Sequence, residues 1–340
     1  MALLTITTPG IYDLHEAPWL GGEFSGEKEN RITLRFSSIS PGDSLTIMTH
    51  AGDDFVDASG FAPQLYIYLG RGNDTLYLGG FSPFNDGRPI YFDQAGNDVV
   101  HTVQYAFLHA GYGNDSFIGE TFGSQIVSFQ FLTDLLENTT AATQGIQIDL
   151  AKKVRQDLGV FGKDLILNFD GVVGTEGHDR IAGSASYNEL EGAGGNDTIL
   201  GRAGVDQING GDGADILIGG AGADTFDLMA HDNAKDTVRY QSMQDSAAQM
   251  ALGAGDVING FAVGEDKIDL SPIDANAAQK GNQAFVFRAT GDFRSKAGEV
   301  LVEISGSDSL VLVDIDGDSA PEMVIRVAGV TNLTASDFIL

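Results

Sequence analysis

Apolar residues fall in short islands along this chain, and no long amphipathic helix is visible. From 174 to 227 a large apolar residue returns every nine positions, at Ile181, Leu190, Ile199, Ile208, Leu217 and Phe226. Each sits in a three-residue island between Gly-rich polar stretches. Such an island suits a short strand whose middle side chain points inward. Upstream, QLYIYL (64–69), VQYAFL (103–108), GIQIDL (145–150) and LILNFDGVV (165–173) alternate apolar and polar residues and predict strands, as do NRITLRF (30–36) and SLTIMTH (44–50). AKKVRQDLG (151–159) predicts a loop with its basic residues on a solvated face. Downstream, KIDL, AFVF, VLVEI, LVLVDI and MVIRV predict strands joined by Gly and Asp turns. The expected fold class is all-β.

The nine-residue spacing is a sequence repeat. Six units run without a break: GTEGHDRIA, GSASYNELE, GAGGNDTIL, GRAGVDQIN, GGDGADILI and GGAGADTFD. Position one is always Gly. Position six is Asp179, Asn188, Asp197, Asp206, Asp215 and Asp224, and the apolar residue is position eight. Glycine lets the backbone turn sharply and lets two backbones approach. Six residues then make a turn bearing carbonyl oxygens and one carboxylate, and the last three make a strand. Two units close one coil of about 18 residues. Stacking aligns Asp179, Asp197 and Asp215 on one side and Asn188, Asp206 and Asp224 on the other. Paired carboxylates with carbonyls form the hard oxygen shell that Ca²⁺ takes, whereas Mg²⁺ demands an octahedron and keeps its waters. No His or Cys cluster suits zinc.

Charge strengthens this picture. The 340 residues carry 48 acids against 19 Lys plus Arg, a net charge of −29, and 35 of the acids are Asp. Asp favours turns and oxygen-ligand sites, whereas Glu favours helix interiors. So many carboxylates repel one another unless a cation neutralises them. The balance excludes nucleic-acid binding through phosphates. With no Cys there is no disulfide framework or thiolate site. The 45 glycines lack the period of collagen, and 42% hydrophobic residues exclude simple disorder. No apolar run reaches the length of a membrane helix, so no membrane insertion is expected, and the N-terminus has no secretory signal pattern.

Looser copies precede the block. AGDDFV, RGNDTL, AGNDVV and YGNDSF share a G-x-D-x-U core, with Asp54, Asp74, Asp98 and Asp115 beside Gly72, Gly96 and Gly113. Spacings of 20, 24 and 17 residues suit one motif per coil and an irregular solenoid with one calcium-capable side. Ordinary Asx turns are the alternative. LILNFDGVV fits one more unit, with Asp170 at position six and Val172 at position eight.

These units resemble the calcium-binding nonapeptide repeats of RTX proteins. The resemblance implies a parallel β-roll holding several Ca²⁺ ions between turns. It places ligands on Asp179, Asp197, Asp206, Asp215 and Asp224. Backbone oxygens would come from Gly192, Gly194, Gly195, Gly201, Ala203, Gly204, Gly210, Asp212, Gly213, Gly219, Ala221 and Gly222. Asn188, with Ser186 where Gly is usual, departs from the pattern. GDVINGFAVGEDKIDLSPID (255–274) and LVLVDIDGDSAPEMVIRVAGVTNLTASDFIL (310–340) are similar to the segment that follows the repeats in serralysin-type secreted metalloproteases. By that resemblance they cap the roll in a β-sandwich-like domain. Asp314-Ile-Asp316-Gly-Asp318 reads equally as a cation loop and as a hairpin turn. The terminal Asp337-Phe338-Ile339-Leu340 resembles the uncleaved signal of type I secretion substrates. That implies a type I secretion apparatus as partner and release from a Gram-negative bacterium. The chain would thread out unfolded and fold on meeting extracellular Ca²⁺.

Four regions follow: an N-terminal β cap at 1–50, the irregular solenoid at 51–173, the regular roll at 174–227 and the C-terminal β domain with its export signal at 228–340. Catalytic signatures do not surface. His15-Glu16 lacks the second His of H-E-x-x-H, and Pro18 breaks the helix that motif needs. No G-x-S-x-G elbow occurs, and the short Tyr, Asp and His motif of polyuronate epimerases and lyases is not evident. The expectation is a non-enzymatic, secreted structural or adhesive protein that self-associates in a surface layer or filament or meets cell-surface polysaccharide. The alternative is a polyuronate-active enzyme or a lectin, using a groove lined by Tyr66, Tyr68, Tyr77, Phe81, Phe84, Tyr91 and Phe92. Period-two aromatics more commonly face a core. A pore-forming toxin is disfavoured, because it needs a long apolar or amphipathic helix.

Overall fold

In a computed structural model the protein is nearly all β, with parallel sheets. The structure describes residues 2–6, 10–13, 31–36, 44–49, 51–59, 64–79, 90–102, 106–120, 124–130, 143–228, 234–246, 255–276, 278–289 and 291–340. For 2–6, 10–13, 31–36, 44–46, 64–65 and 90–94 the backbone alone is described. His15, Glu16, Phe81 and Phe84, the start of VQYAFL and the side chains of Tyr91 and Phe92 lie outside the described residues. The chain divides into two compact units, Met1–Val173 and Gly174–Leu340.

The first unit stacks two rows of parallel strands. One row runs Ala2–Ile6, Arg31–Phe36, Phe55–Ala58, Thr75–Leu78, Val99–Thr102, Ser116–Gly119 and Lys163–Leu167, and ends on the antiparallel Gln156–Asp157. The other runs Gly10–Asp13, Ser44–Met48, Gln64–Arg71, Ile90–Gly96, Ala106–His109, Gln125–Ser128 and Gly171–Val173. Register places one apolar side chain of each rung over the next. Val56, Leu76, Val100, Phe117 and Ile166 form one buried file, and Ile47, Ile67, Leu108, Val127 and Val172 belong to a second. Burying each such side chain contributes about 1.5–3 kcal/mol. In Gln64–Arg71 it is Ile67 and Leu69 that face the core, while Tyr66 and Tyr68 are half-buried on the other face. Period-two alternation therefore turns these tyrosines away from the core.

In the second unit one row runs Arg180–Ala182, Thr198–Gly204, Ile216–Gly222, Thr237–Arg239, Lys267–Asp269 and Phe338–Ile339. The other runs Glu189–Glu191, Gln207–Asn209, Thr225–Asp227, Asp256–Asn259 and Met323–Val327. It continues antiparallel through Asp308–Asp314 and Glu299–Ser305, with Val286–Arg288 at the edge. All six position-eight residues are buried. Glycine is needed at Gly213, where φ is 126° and a Cβ would lie 1.6 Å from the Gly195 carbonyl of the preceding coil. Phe338 and Ile339 pair with Ile268 and Asp269, so the terminal residues form the last strand of their row. Among the described residues no helix is long and apolar enough to cross a membrane.

Candidate metal centre

From Asp54 on, successive rungs bring a buried aspartate, or at one place Asn188, to equivalent positions, and carboxylates stitch one rung to the next. In the first unit the amides of Asp54, Asp74, Asp98 and Asp115 donate to Oδ1 of Asp74, Asp98, Asp115 and Asp164, at 2.7, 2.5, 2.8 and 2.9 Å. In the second unit the amides of Asp179, Asp197, Asp215 and Asp236 donate to Asp197, Asp215, Asp236 and Asp266, at 2.7, 2.8, 2.9 and 3.0 Å. On its other row Asn188, Asp206 and Asp224 donate to Asp206, Asp224 and Asp256, each at 2.8 Å. These are inter-rung ladders, not the local Asx turns of the bland expectation.

The ladder uses only one oxygen of each carboxylate. Oδ2 of Asp74, Asp164, Asp197, Asp206, Asp224 and Asp256 is buried with no hydrogen-bond partner. A buried polar atom left so is costly. Burial is the main force pushing these acids up from 3.8: Asp74, Asp164, Asp197 and Asp256 to about 8, Asp206 to about 7 and Asp224 to about 6. The ladder amides act against it. Neighbouring carboxylates act with it, as Asp179, Asp215 and Glu176 do at Asp197. Carbonyls converge on the same oxygens. A Cβ on Gly192 would lie 2.2 Å from Asp197 Oδ2 and 2.3 Å from Gly210 O, and one on Gly201 would lie 2.4 Å from Asp206 Oδ2 and 2.7 Å from Gly219 O. Unsatisfied carboxylate oxygens beside carbonyls, with no sulfur or imidazole, suit a hard cation of the size and flexibility of Ca²⁺.

The first coil of the repeat block differs. Asp179 Oδ2 accepts the Thr175 amide at 2.6 Å, and Asp179 Oδ1 accepts the Thr175 hydroxyl at 3.0 Å. Asn188 Oδ1 accepts the Ser184 amide at 2.7 Å. Donors at position two thus use the oxygens that are orphaned at Asp197, Asp206 and Asp224. The backbone positions expected to supply oxygens pair rung to rung: Gly194 with Asp212, Ala203 with Ala221 and Gly204 with Gly222. The Asp212 side chain is exposed.

Outside the aspartates of the first unit runs a second ladder of opposite direction. The amides of Asn73, Asn97, Asn114 and Lys163 donate to the side chains of Asp53, Asn73, Asn97 and Asn114, at 2.7, 3.0, 3.0 and 3.0 Å. The Asn-Asp dipeptides therefore lock each rung to both neighbours. The basic residues of 151–159 are exposed, as expected of a solvated face, and Arg155 also bonds inward. Its guanidinium donates to Asp115 O at 2.7 Å, Lys163 O at 2.9 Å and Ser116 Oγ at 2.8 Å, and its charge pulls Asp164 down against burial.

Sequence reasoning missed Asp164, Asp236, Asp256 and Asp266. Each precedes an apolar residue by two, namely Ile166, Val238, Ile258 and Ile268, so the D-x-U core was present. Asp170, read as a position-six residue with Val172 at position eight, lies on the other row, where its carboxylate accepts the Gln125 amide of the neighbouring rung and Val172 is buried; Asp164 completes the aspartate ladder of the first row. Asp314, Asp316, Asp318 and Glu322 bring four carboxylate oxygens within 4.8 Å of one another. Turn amides serve this cluster, since Gly317 N and Ser319 N donate to Asp314 and Ile315 N to Glu322. Asp337 is buried in a capping box with Thr334 and also accepts the Gly264 amide at 2.8 Å.

Parallel strands stacked into rungs, with buried aspartates laddered from one rung to the next, define a calcium-binding β-roll of the RTX type. The chain belongs to the Peptidase M10 serralysin C terminal family, whose model matches residues 160–340, over half of the chain. The RTX calcium-binding nonapeptide repeat (4 copies) matches residues 66–82, within the loosely spaced rungs of the first unit. Neither match includes a protease domain. Similar solved structures include the AlgE6R3 and AlgE6R2 subunits of a mannuronan C5-epimerase from Azotobacter vinelandii. They are 26% and 25% identical, cover 48% and 47% of this chain and 79% and 86% of their own, and have TM-scores of 0.22 and 0.19. Extracellular lipase LipA from Serratia marcescens is 17% identical over 94% of this chain and 46% of that one, with a TM-score of 0.19.

Proposed function

We propose that this calcium-binding RTX protein leaves the cell unfolded by type I secretion, folds on extracellular Ca²⁺ and serves as a structural or adhesive component of the cell surface or matrix. The observation that carries the reading is the set of buried, unpaired Oδ2 atoms on Asp74, Asp197, Asp206 and Asp224, where no Lys or Arg among the described residues forms an ion pair. Ca²⁺ would be held by the position-six aspartates Asp197, Asp206, Asp215 and Asp224, with carbonyls such as Gly210 O and Gly219 O. Asp54, Asp74, Asp98 and Asp115 would serve in the first unit. When bound, the ion neutralises carboxylates that otherwise repel, and its binding free energy becomes folding free energy. The chain's own part is to aim the oxygens, through Oδ1 ladders that need no metal.

Export and folding fit together. The terminal Phe338–Ile339 strand is readable by an exporter only before it pairs with Ile268 and Asp269, so a low-calcium cytoplasm keeps the signal exposed. Circular dichroism of the purified chain at pH 8 tests the reading: strand signal should rise on adding millimolar Ca²⁺ and fall with chelator, which leaves at most a marginally stable fold. A fully folded spectrum in chelator would defeat it.

A further inference from the structure

The Gly174–Leu340 unit ends one of its rows on a short open edge. Among the described residues Val286–Arg288 pairs only with Glu299–Ser305, and no strand lies on its other side. The Val286 amide is spent inward, on Gly298 O at 2.8 Å. Alternation along a strand then turns the Phe287 amide and carbonyl outward. Such an edge is a template for a strand of another chain, and Val286 stands 60% exposed on it. A cleft of about 510 Å³ opens beside this strand, with Val286, Phe287 and Arg288 on one side, Arg294 and Lys296 on the other, and Glu299 buried in its lining. Glu299 ties the two sides together: Oε1 accepts Arg288 Nη1 at 3.0 Å and Oε2 accepts the Arg294 amide at 2.7 Å. Ser295 Oγ meets Ser319 Oγ at 3.0 Å and pins the second side to the Asp314–Glu322 turn, whose acids line no part of the cleft. The Arg294 and Lys296 side chains are exposed.

Charge indicates what fits this edge. In a chain of net charge −29, residues 280–296 carry Lys280, Arg288, Arg294 and Lys296 against Asp292, a local charge of +3. The Met1–Val173 unit has an open edge of its own, Gly10–Asp13, at the end of its second row. Residues 10–30 carry Asp13, Glu16, Glu23, Glu27 and Glu29 against Lys28, a local charge of −4. We propose that a second copy of this chain docks at the cleft, its Gly10–Asp13 edge pairing with Val286–Arg288. The proposal deepens the structural role proposed above and rests on it. Main-chain bonds between the two edges supply affinity in such a join, and the flanking side chains supply selectivity. Opposite charge decides which edge meets which, because two Val286–Arg288 edges repel. A contact between unlike surfaces propagates into rings or filaments instead of closing as a dimer. The competing account is that Arg288, Arg294 and Lys296 guard the edge and keep copies apart, as charges on edge strands do.

The chain has no Cys, so single introduced cysteines report the contact. Full-length Ile11→Cys and Val286→Cys chains are folded in millimolar Ca²⁺ at low ionic strength, mixed, and treated with a short bismaleimide. The mixed pair should cross-link about tenfold faster than either chain alone. Adding Arg294→Glu and Lys296→Glu to the Val286→Cys chain should abolish that advantage. The same two changes in the wild type should turn oligomer into monomer in sedimentation. Glu299 takes its bond from the Arg294 backbone, so this variant keeps the cleft, and circular dichroism of each sample reports its folding. A Ca²⁺-folded wild type that stays monomeric overturns the contact and leaves calcium-driven folding standing. So do Val286→Cys chains that cross-link to one another as fast as to Ile11→Cys chains, and so does a charge-reversed variant that associates more than the wild type. A chain that never folds on Ca²⁺ overturns both readings.

Discussion

Ladder aspartates of the Met1–Val173 unit lie 17 to 49 residues apart, while those of the nonapeptide block lie 18 apart. Both make the same inter-rung bond at nearly the same length. What a rung requires is therefore local: an aspartate, and an apolar residue two positions on. The units differ in what surrounds that rung. The first has aspartates along one row, backed by the reversed asparagine ladder and by the Arg155 guanidinium at its last rung. The second has aspartates on both rows and only a fragment of the outer ladder, where the Asn196 amide meets His178 and Asn196 accepts from Ala214. It carries more buried charge with less help from the protein.

Removing calcium should expose that contrast most strongly. Each site held at a hundredfold excess of Ca²⁺ over its dissociation constant supplies about 2.7 kcal/mol, so several sites together match the whole stability of a typical domain. Hydrogen exchange in chelator should show the amides of Thr198–Gly204 and Ile216–Gly222 losing protection before those of Thr75–Leu78 and Val99–Thr102. Simultaneous loss would mean that the outer ladder and Arg155 add nothing.

Core truncation should treat the two units alike. In saturating Ca²⁺, Leu217→Ala and Leu76→Ala should each cost about 2–5 kcal/mol in denaturant unfolding, because both side chains are wholly buried in a file. A clear inequality would show that one file packs more loosely.

Charge removal should separate them again. Asp197→Asn keeps the ladder acceptor and deletes a metal ligand, and should raise the Ca²⁺ midpoint about tenfold, or ~1.4 kcal/mol. Asp164→Asn, beside Arg155, should move it less than about twofold, a change below ~0.5 kcal/mol. Equal shifts would show that the guanidinium does not stand in for a cation.

A pH series gives a graded version. In the metal-free fold Asp74, Asp164, Asp197 and Asp256 sit at about 8, Asp206 at about 7 and Asp224 at about 6, against 3.8 ordinarily. The folded chain thus binds more protons than the unfolded one between about pH 4 and 8, so metal-free stability falls as pH rises through that window. Melting in chelator should occur at a higher temperature at pH 5 than at pH 8. With Ca²⁺ the order should reverse, since protons compete with the metal for the same oxygens. A melting temperature in chelator that climbs with pH would contradict the burial of these acids.

Much of the site was legible because a constant nine-residue period cannot hide: Asp197, Asp206, Asp215 and Asp224 follow from register alone. Asp164, Asp236, Asp256 and Asp266 escaped for the converse reason. Their gaps of 49, 21, 32 and 30 residues break every period, although each keeps the D-x-U core. The parallel rows were legible from short apolar islands. Which face of Gln64–Arg71 meets the core was not, because Tyr66, Ile67, Tyr68 and Leu69 are all apolar enough to be buried. Arg155 left no sequence signal either, since a loop guanidinium reaching back 40 residues to Asp115 O is a product of the fold.

Anomalous diffraction from crystals grown in millimolar Ca²⁺ tests the central claim most directly. The account predicts calcium peaks about 2.3–2.6 Å from Oδ2 of Asp197, Asp206 and Asp224, with the Oδ1 ladder bonds intact. A folded chain without peaks there, its carboxylates facing one another as protonated pairs, would contradict it.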